Sequence, residues 1–215
     1  MPAHPPQGLY LLTPDIIDTD ALLSRVAPLL PFTTWLQYRN KSAPRARQRE
    51  HLLALQPLCA QAGVPLLVND DWTLAAELTL SGAHLGVEDG DLSKARAALG
   101  PEALLGATCH HAIERAHAAV QAGASYVAFG AFFPSPTKPE ARRADPQVLR
   151  DAAMLKVPRV AIGGITVDNG RALVEAGADL LAVISGVFDA PDPIGAAQAY
   201  LRCFALPSPS PALPT

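Results

Sequence analysis

Eight short apolar runs recur along the chain, and between them lie stretches whose apolar residues return every third or fourth position. Matching these periods places strands near 8–12, 33–39, 65–69, 83–86, 103–108, 125–130, 158–163 and 179–185. Helical patterns occupy Ala46 to Ala62, Trp72 to Thr79, Ile113 to Ala122 and Gly170 to Ala176. Strand followed by helix, repeated, requires crossover connections and therefore parallel strands covered on both faces. Gly63, Gly82, Gly123 and Gly177 fall where helices are expected to stop, in positions where a left-handed cap carries no Cβ penalty. Eight such units predict an α/β fold, a single (β/α)8 TIM barrel, in preference to an open doubly wound sheet.

Composition supports one large core. Of 215 residues, 49% are hydrophobic and 17% charged, enough to fill a barrel of about 200 residues. The expected division is a flexible N-terminus at 1–7, the barrel over 8–205, and a disordered tail at 206–215 whose repeated prolines exclude helix and central strand. A net charge of -3 leaves no basic excess for a nucleic-acid backbone or an anionic bilayer, so any cationic residues that matter must be local. Three widely spaced cysteines, Cys59, Cys109 and Cys203, have no zinc-site spacing and suit reduced thiols in a cytoplasmic protein. The first residues lack a basic region followed by an apolar stretch, and no run of about 18 apolar residues occurs, so neither export nor membrane spanning is expected.

Polar residues collect where the strands end, which in a parallel barrel is one mouth. Trp35, Gln37 and Arg39 share one face of their strand while Tyr38 points the other way, and Arg39 with Lys41 forms a plausible diphosphate grip. In Asn69-Asp70-Asp71, Asp71 adjoins the next helix and is expected to cap it, leaving Asp70 free. Asp89, beyond the following strand, then completes an oxygen-rich pair suited to magnesium. Gly163-Gly164 and Ser185 end strands seven and eight, where barrels often bind phosphate, although the glycines also suit a tight turn. The segment 131–144 is long for a barrel loop and carries Ser135, Thr137 and Lys138, as a lid would. His110 and His111 receive no proton-transfer role.

The segments Leu36-Gln37-Tyr38-Arg39-Asn40-Lys41, Val68-Asn69-Asp70-Asp71, His84-Leu85-Gly86 with Glu88-Asp89, Phe129-Gly130 through Pro139, and Ile162-Gly163-Gly164-Ile165 occur in an order that resembles the thiamine-phosphate synthase family. The resemblance implies coupling of 4-amino-2-methyl-5-hydroxymethylpyrimidine diphosphate to a thiazole phosphate, giving thiamine phosphate and diphosphate. It assigns the pyrimidine diphosphate to Gln37, Tyr38, Arg39, Asn40, Lys41, Asn69, Thr108 and Lys138, and magnesium to Asp70 and Asp89. It assigns the thiazole phosphate to Ser135, Pro136, Thr137, Gly164, Ile184 and Ser185. Diphosphate departs first in the implied mechanism, so Arg39, Lys41 and Lys138 carry the catalytic burden by stabilising its charge. Three positions depart from the family pattern: Val87 stands where Gln is common, Pro14 follows Thr13 where Asp is usual, and Thr108 stands where Ser is common but keeps the hydroxyl. The alternatives are a thiazole tautomerase-like isomerase, which needs no diphosphate grip, and a non-catalytic phosphate-binding barrel.

Overall fold

Strands β1 (Gly8–Leu12), β2 (Trp35–Tyr38), β3 (Leu66–Asn69), β4 (Gly82–Leu85), β5 (Leu104–His110), β6 (Tyr126–Phe129), β7 (Arg159–Ile162) and β8 (Leu180–Val183) close into a barrel in sequence order. Every neighbouring pair is parallel, and β1 bonds to both β2 and β8, which excludes the open sheet. The computed structural model describes residues 6–134 and 143–205. Ser135, Pro136, Thr137 and Lys138, and the tail from 206 onward, lie outside the described residues, as do residues 1–5.

Around the barrel pack α1 (Thr19–Val26), α2 (Arg45–Ala62), α3 (Trp72–Leu78), α4 (Leu92–Leu99), α5 (Ile113–Gln121), α6 (Gln147–Asp151), α7 (Val167–Glu175), α8 (Ser185–Phe188) and α9 (Pro193–Arg202). Alternation along the strands divides the core into two layers. Outward-facing Leu9, Leu11, Leu36, Tyr38, Leu66 and Val68 pack against the helices. Inward-facing Tyr10, Leu12, Trp35, Leu67, Tyr126, Val160 and Leu180 fill the barrel. The N-terminal ends are pinned by a fork: Arg159 Nε and Nη2 donate to Asp179 at 3.0 and 3.3 Å, with Asp179 4% exposed. This pair ties the starts of β7 and β8 at the end opposite the mouth.

Several boundaries differ from the sequence reading. Thr33 and Thr34 precede β2 rather than belonging to it, and Ser185 opens α8 rather than closing β8. β5 continues to His110 through an irregularity after Thr108. Gly82 is not a helix cap. Thr79 itself adopts the left-handed conformation and ends α3, while Gly82 lies within β4, where a Cβ would meet the Leu104 carbonyl oxygen at 1.9 Å. What demanded glycine there was strand-to-strand approach, not backbone handedness.

Candidate active site

β2 ends by delivering two cations to the mouth. Thr13, fully buried after β1, accepts from the Arg39 N–H and donates to the Arg39 carbonyl, both at 2.9 Å, so the end of β2 is held against β1. Asp15 then accepts from Arg39 Nη1 at 3.3 Å and from the Lys41 N–H at 3.0 Å. Asp15 is largely open to solvent while Arg39 is partly covered, and at 3.3 Å with a single Nη1 contact the pair is a weak one of roughly 1 kcal/mol. A bidentate phosphate can therefore displace Asp15 from Arg39 at little cost.

The run Gln37 to Lys41 does not act as a block. Tyr38 faces the helices and hydrogen-bonds His51 Nδ1 at 2.9 Å, away from the barrel interior. Burial pushes its hydroxyl pKa above the ordinary range. Asn40 is buried and ties two loops together: Nδ2 donates to the Ile16 carbonyl, after β1, at 2.6 Å, while Oδ1 accepts from the Ser42 and Ala43 N–H groups of its own loop. Tyr38 Oη is thus engaged with α2, and Asn40 braces the loop that presents Arg39 and Lys41.

After β3 two adjacent aspartates take opposite roles. Asp71 caps α3, accepting from the Leu74 N–H at 2.9 Å, and also receives Arg45 Nε at 3.0 Å. Burial alone would raise its carboxyl, but bonds from Thr73, Leu74 and Arg45 hold it below the usual range. Asp70 stands at φ 66, a left-handed conformation that aspartate tolerates better than most residues. Its carboxyl is raised to about 6, first by burial and then by Asp89, which acts both as hydrogen-bond neighbour and as like charge. Lys41 is the opposing cation. Asp89 is itself braced by the Gly86 N–H at 2.8 Å, and a Cβ on Gly86 would strike that carboxylate.

The structure thus brings together Lys41, Asp70 and Asp89 from three successive strand ends. Tyr38, Asn40, Lys41, Asn69, Asp70 and Asp71 line part of a cleft of about 420 Å³ beside the mouth. Among the described residues no three His, Cys, Asp or Glu side chains cluster as a metal cage. Two oxygen-bearing carboxylates fit a hard cation that completes its shell with water and substrate phosphate.

Inside the barrel lies a polar chain that the sequence reading missed. Gln37 Nε2 donates to Tyr10 Oη at 2.6 Å, and Tyr10 Oη meets Tyr126 Oη at 2.7 Å. Tyr126 Oη meets His84 Nδ1 at 3.0 Å, and His84 Nε2 meets Thr108 Oγ1 at 2.9 Å. Burial pushes His84 down to about 4, so its ring is neutral at pH 7. The available signal was parity: each of these polar side chains occupies an inward position in an otherwise apolar run.

Across the mouth, Gly163 and Gly164 have φ of 97 and 64, and a Cβ on Gly164 would meet the Phe133 and Pro134 carbonyl oxygens at 2.7 and 2.5 Å. Gly164 is therefore required by its own turn whether or not an anion binds. Ile184 precedes α8, and exposed Ser185 begins it.

The family model for thiamine monophosphate synthase matches residues 9–187, from the first strand through the last. The chain belongs to the thiamine monophosphate synthase family. A thiamine-phosphate synthase of Xanthomonas campestris is 55% identical over 198 residues, 92% of this chain and 96% of that one. One from Xylella fastidiosa is 53% identical over 199 residues, 93% of this chain and 85% of its own length. The solved thiamine phosphate pyrophosphorylase of Pyrococcus furiosus superposes with a TM-score of 0.81 at 30% identity, covering 92% of this chain and 95% of that one. Like its thiamine-phosphate synthase relatives, this barrel is a transferase that forms thiamine phosphate. Among the described residues, no helix is long and apolar enough to cross a membrane.

Proposed function

We propose that the mouth joins a hydroxymethylpyrimidine diphosphate to a thiazole phosphate, with magnesium held by Asp70 and Asp89. The observation that carries this reading is the pairing of those carboxylates beside Lys41, an arrangement that suits a diphosphate and its counter-cation. When bound, magnesium supplies positive charge to the diphosphate oxygens. Arg39 and Lys41 would grip the same group as its bond to the pyrimidine methylene breaks, accepting the negative charge that develops. The methylene cation left behind is stabilised by the electron-rich aminopyrimidine and captured by the thiazole nitrogen. Ser185 and the backbone beside Gly164 suit the monophosphate of that second substrate. The buried free cysteines fit a reducing, cytoplasmic setting. Conversion of both purified substrates to equal amounts of thiamine phosphate and diphosphate, abolished by chelation, is the deciding assay. Product formation that survives exhaustive chelation would remove magnesium from the reading.

Two kinetic outcomes follow from this division of the mouth. Arg39→Ala should raise KM for the pyrimidine diphosphate by about 10-fold or more and leave KM for the thiazole phosphate nearly unchanged. Ser185→Ala should show the opposite bias. It is a cleaner probe than Gly164→Val, which would disrupt the turn itself. Varying each substrate in turn checks both, and equal effects on the two KM values would contradict separate sites.

Protons should compete with the cation at Asp70. A protonated carboxyl is neutral, so magnesium affinity should be flat above about pH 6.5 and weaken by up to about tenfold per unit below pH 6. Magnesium titrations at pH 5.5, 6.5 and 7.5 measure this directly.

A further inference from the structure

The polar chain inside the barrel has a direction that follows from counting its protons. Gln37 Nε2 can only donate, so Tyr10 Oη accepts from it and must place its single proton on its other neighbour, Tyr126 Oη. Tyr126, having accepted, has His84 Nδ1 as its remaining partner and donates there. A neutral imidazole with a bare Nδ1 carries its proton on Nε2, which donates to Thr108 Oγ1. Thr108 is thereby occupied as an acceptor, and its own hydroxyl proton is left for whatever enters the mouth. Among the described residues no fully buried side-chain nitrogen or oxygen lacks a partner, and the hydroxyls of Tyr10 and Tyr126 bond there only to their neighbours in this chain.

We infer that Tyr10, Tyr126 and His84 are positioning residues that fix the Thr108 hydroxyl as a hydrogen-bond donor to an acceptor atom of the bound substrate. Tyr10 and Tyr126 are 1% and 0% exposed, so neither needs to touch substrate for its hydroxyl to matter. Packing holds the geometry: the Tyr126 ring lies between Trp35, at 4.9 Å, and His84, stacked at 5.6 Å. Fixing the rotor in advance removes an orientational cost that a free threonine hydroxyl would meet on binding.

The inference rests on Thr108 facing substrate, and its two tests separate the chain from that reading. Long-range proton–nitrogen correlation spectra of the full-length protein at neutral pH, with His84 signals identified by their loss in His84→Gln, should show Nε2 protonated and Nδ1 bare. This measurement needs no substrate, and the reverse tautomer would overturn the inferred direction. In kinetics, Tyr126→Phe and Thr108→Val should each lower kcat/KM by about 10-fold, and the double variant should be no worse than either alone. Tyr10→Phe provides a second break in the chain should Tyr126→Phe fold poorly, as judged by circular dichroism. Multiplying effects, or full kcat/KM in folded Tyr126→Phe or Tyr10→Phe, would overturn the positioning role even with the expected tautomer in place.

Discussion

Asp70→Asn is expected to lower kcat/KM for thiamine phosphate formation by about 100-fold or more, while the same change one residue later, Asp71→Asn, costs little activity. Asparagine is nearly isosteric and tolerates φ 66, so the first substitution removes charge without unmaking the turn. What it removes is half of a carboxylate pair whose proposed cation neutralises a leaving diphosphate, and losing a single electrostatic contribution of that kind costs on the order of 100- to 1,000-fold. At Asp71 the side chain is a helix cap, and asparagine caps about as well as aspartate. Stability should move the other way. The Asp70 carboxyl titrates above its unfolded value, so the folded state binds the extra proton and loses stability as pH rises through that interval. Removing the charge should therefore leave Asp70→Asn melting no lower than the parent at pH 8 without metal. Equal kinetic losses at 70 and 71 would place neither aspartate in the reaction.

Gly106→Ala should cost about 3 kcal/mol and lower Tm by roughly 6–12 °C, a large penalty for one methyl group. Gly106 faces inward on β5 beside Tyr126, and a Cβ there would lie 2.0 Å from Tyr126 Cζ and 2.3 Å from its Oη. The ring cannot retreat, because it is fully buried between Trp35 and His84. Pairing the substitution with Tyr126→Leu should recover part of the lost stability by restoring volume, yet leave kcat/KM depressed because the hydroxyl is gone. Thermal unfolding and steady-state kinetics on the three variants test this. A Gly106→Ala protein that melts with the parent would show that the interior yields more easily than its packing implies.

These features differ widely in how legible they are in the sequence. The eight runs were readable because parallel strands covered on both faces must be apolar throughout, and Asp71 was readable as a cap because it immediately precedes a helical pattern. Arg39, Lys41, Asp70 and Asp89 were found by their place at strand ends. Tyr38 and Asn40 entered the candidate site only through family resemblance. Alternation sends Tyr38 outward, and the Asn40 amide joins its own loop to the one after β1, a pairing that only the folded barrel reveals. Parity marks the members of the interior chain one by one but not their connection: Tyr10 and Tyr126 are 116 positions apart, and only barrel closure makes them neighbours. Gly82 was misread because glycine has two uses, and Thr79 had taken the one expected of it.

The Asp70–Asp71 step also sets how this barrel can change length over evolution. Surface connections usually absorb insertions and deletions, since nothing depends on their residue count. Here Asp71 is tied to the start of α3 and to Arg45 of α2, while the Asp70 N–H is tied to the His84 carbonyl of β4. One residue gained or lost between β3 and α3 would force a choice between keeping the cap in register with its helix and keeping the carboxylate opposite Asp89. This connection should therefore hold a fixed length among relatives, and length variation should appear at joints anchored on one side only.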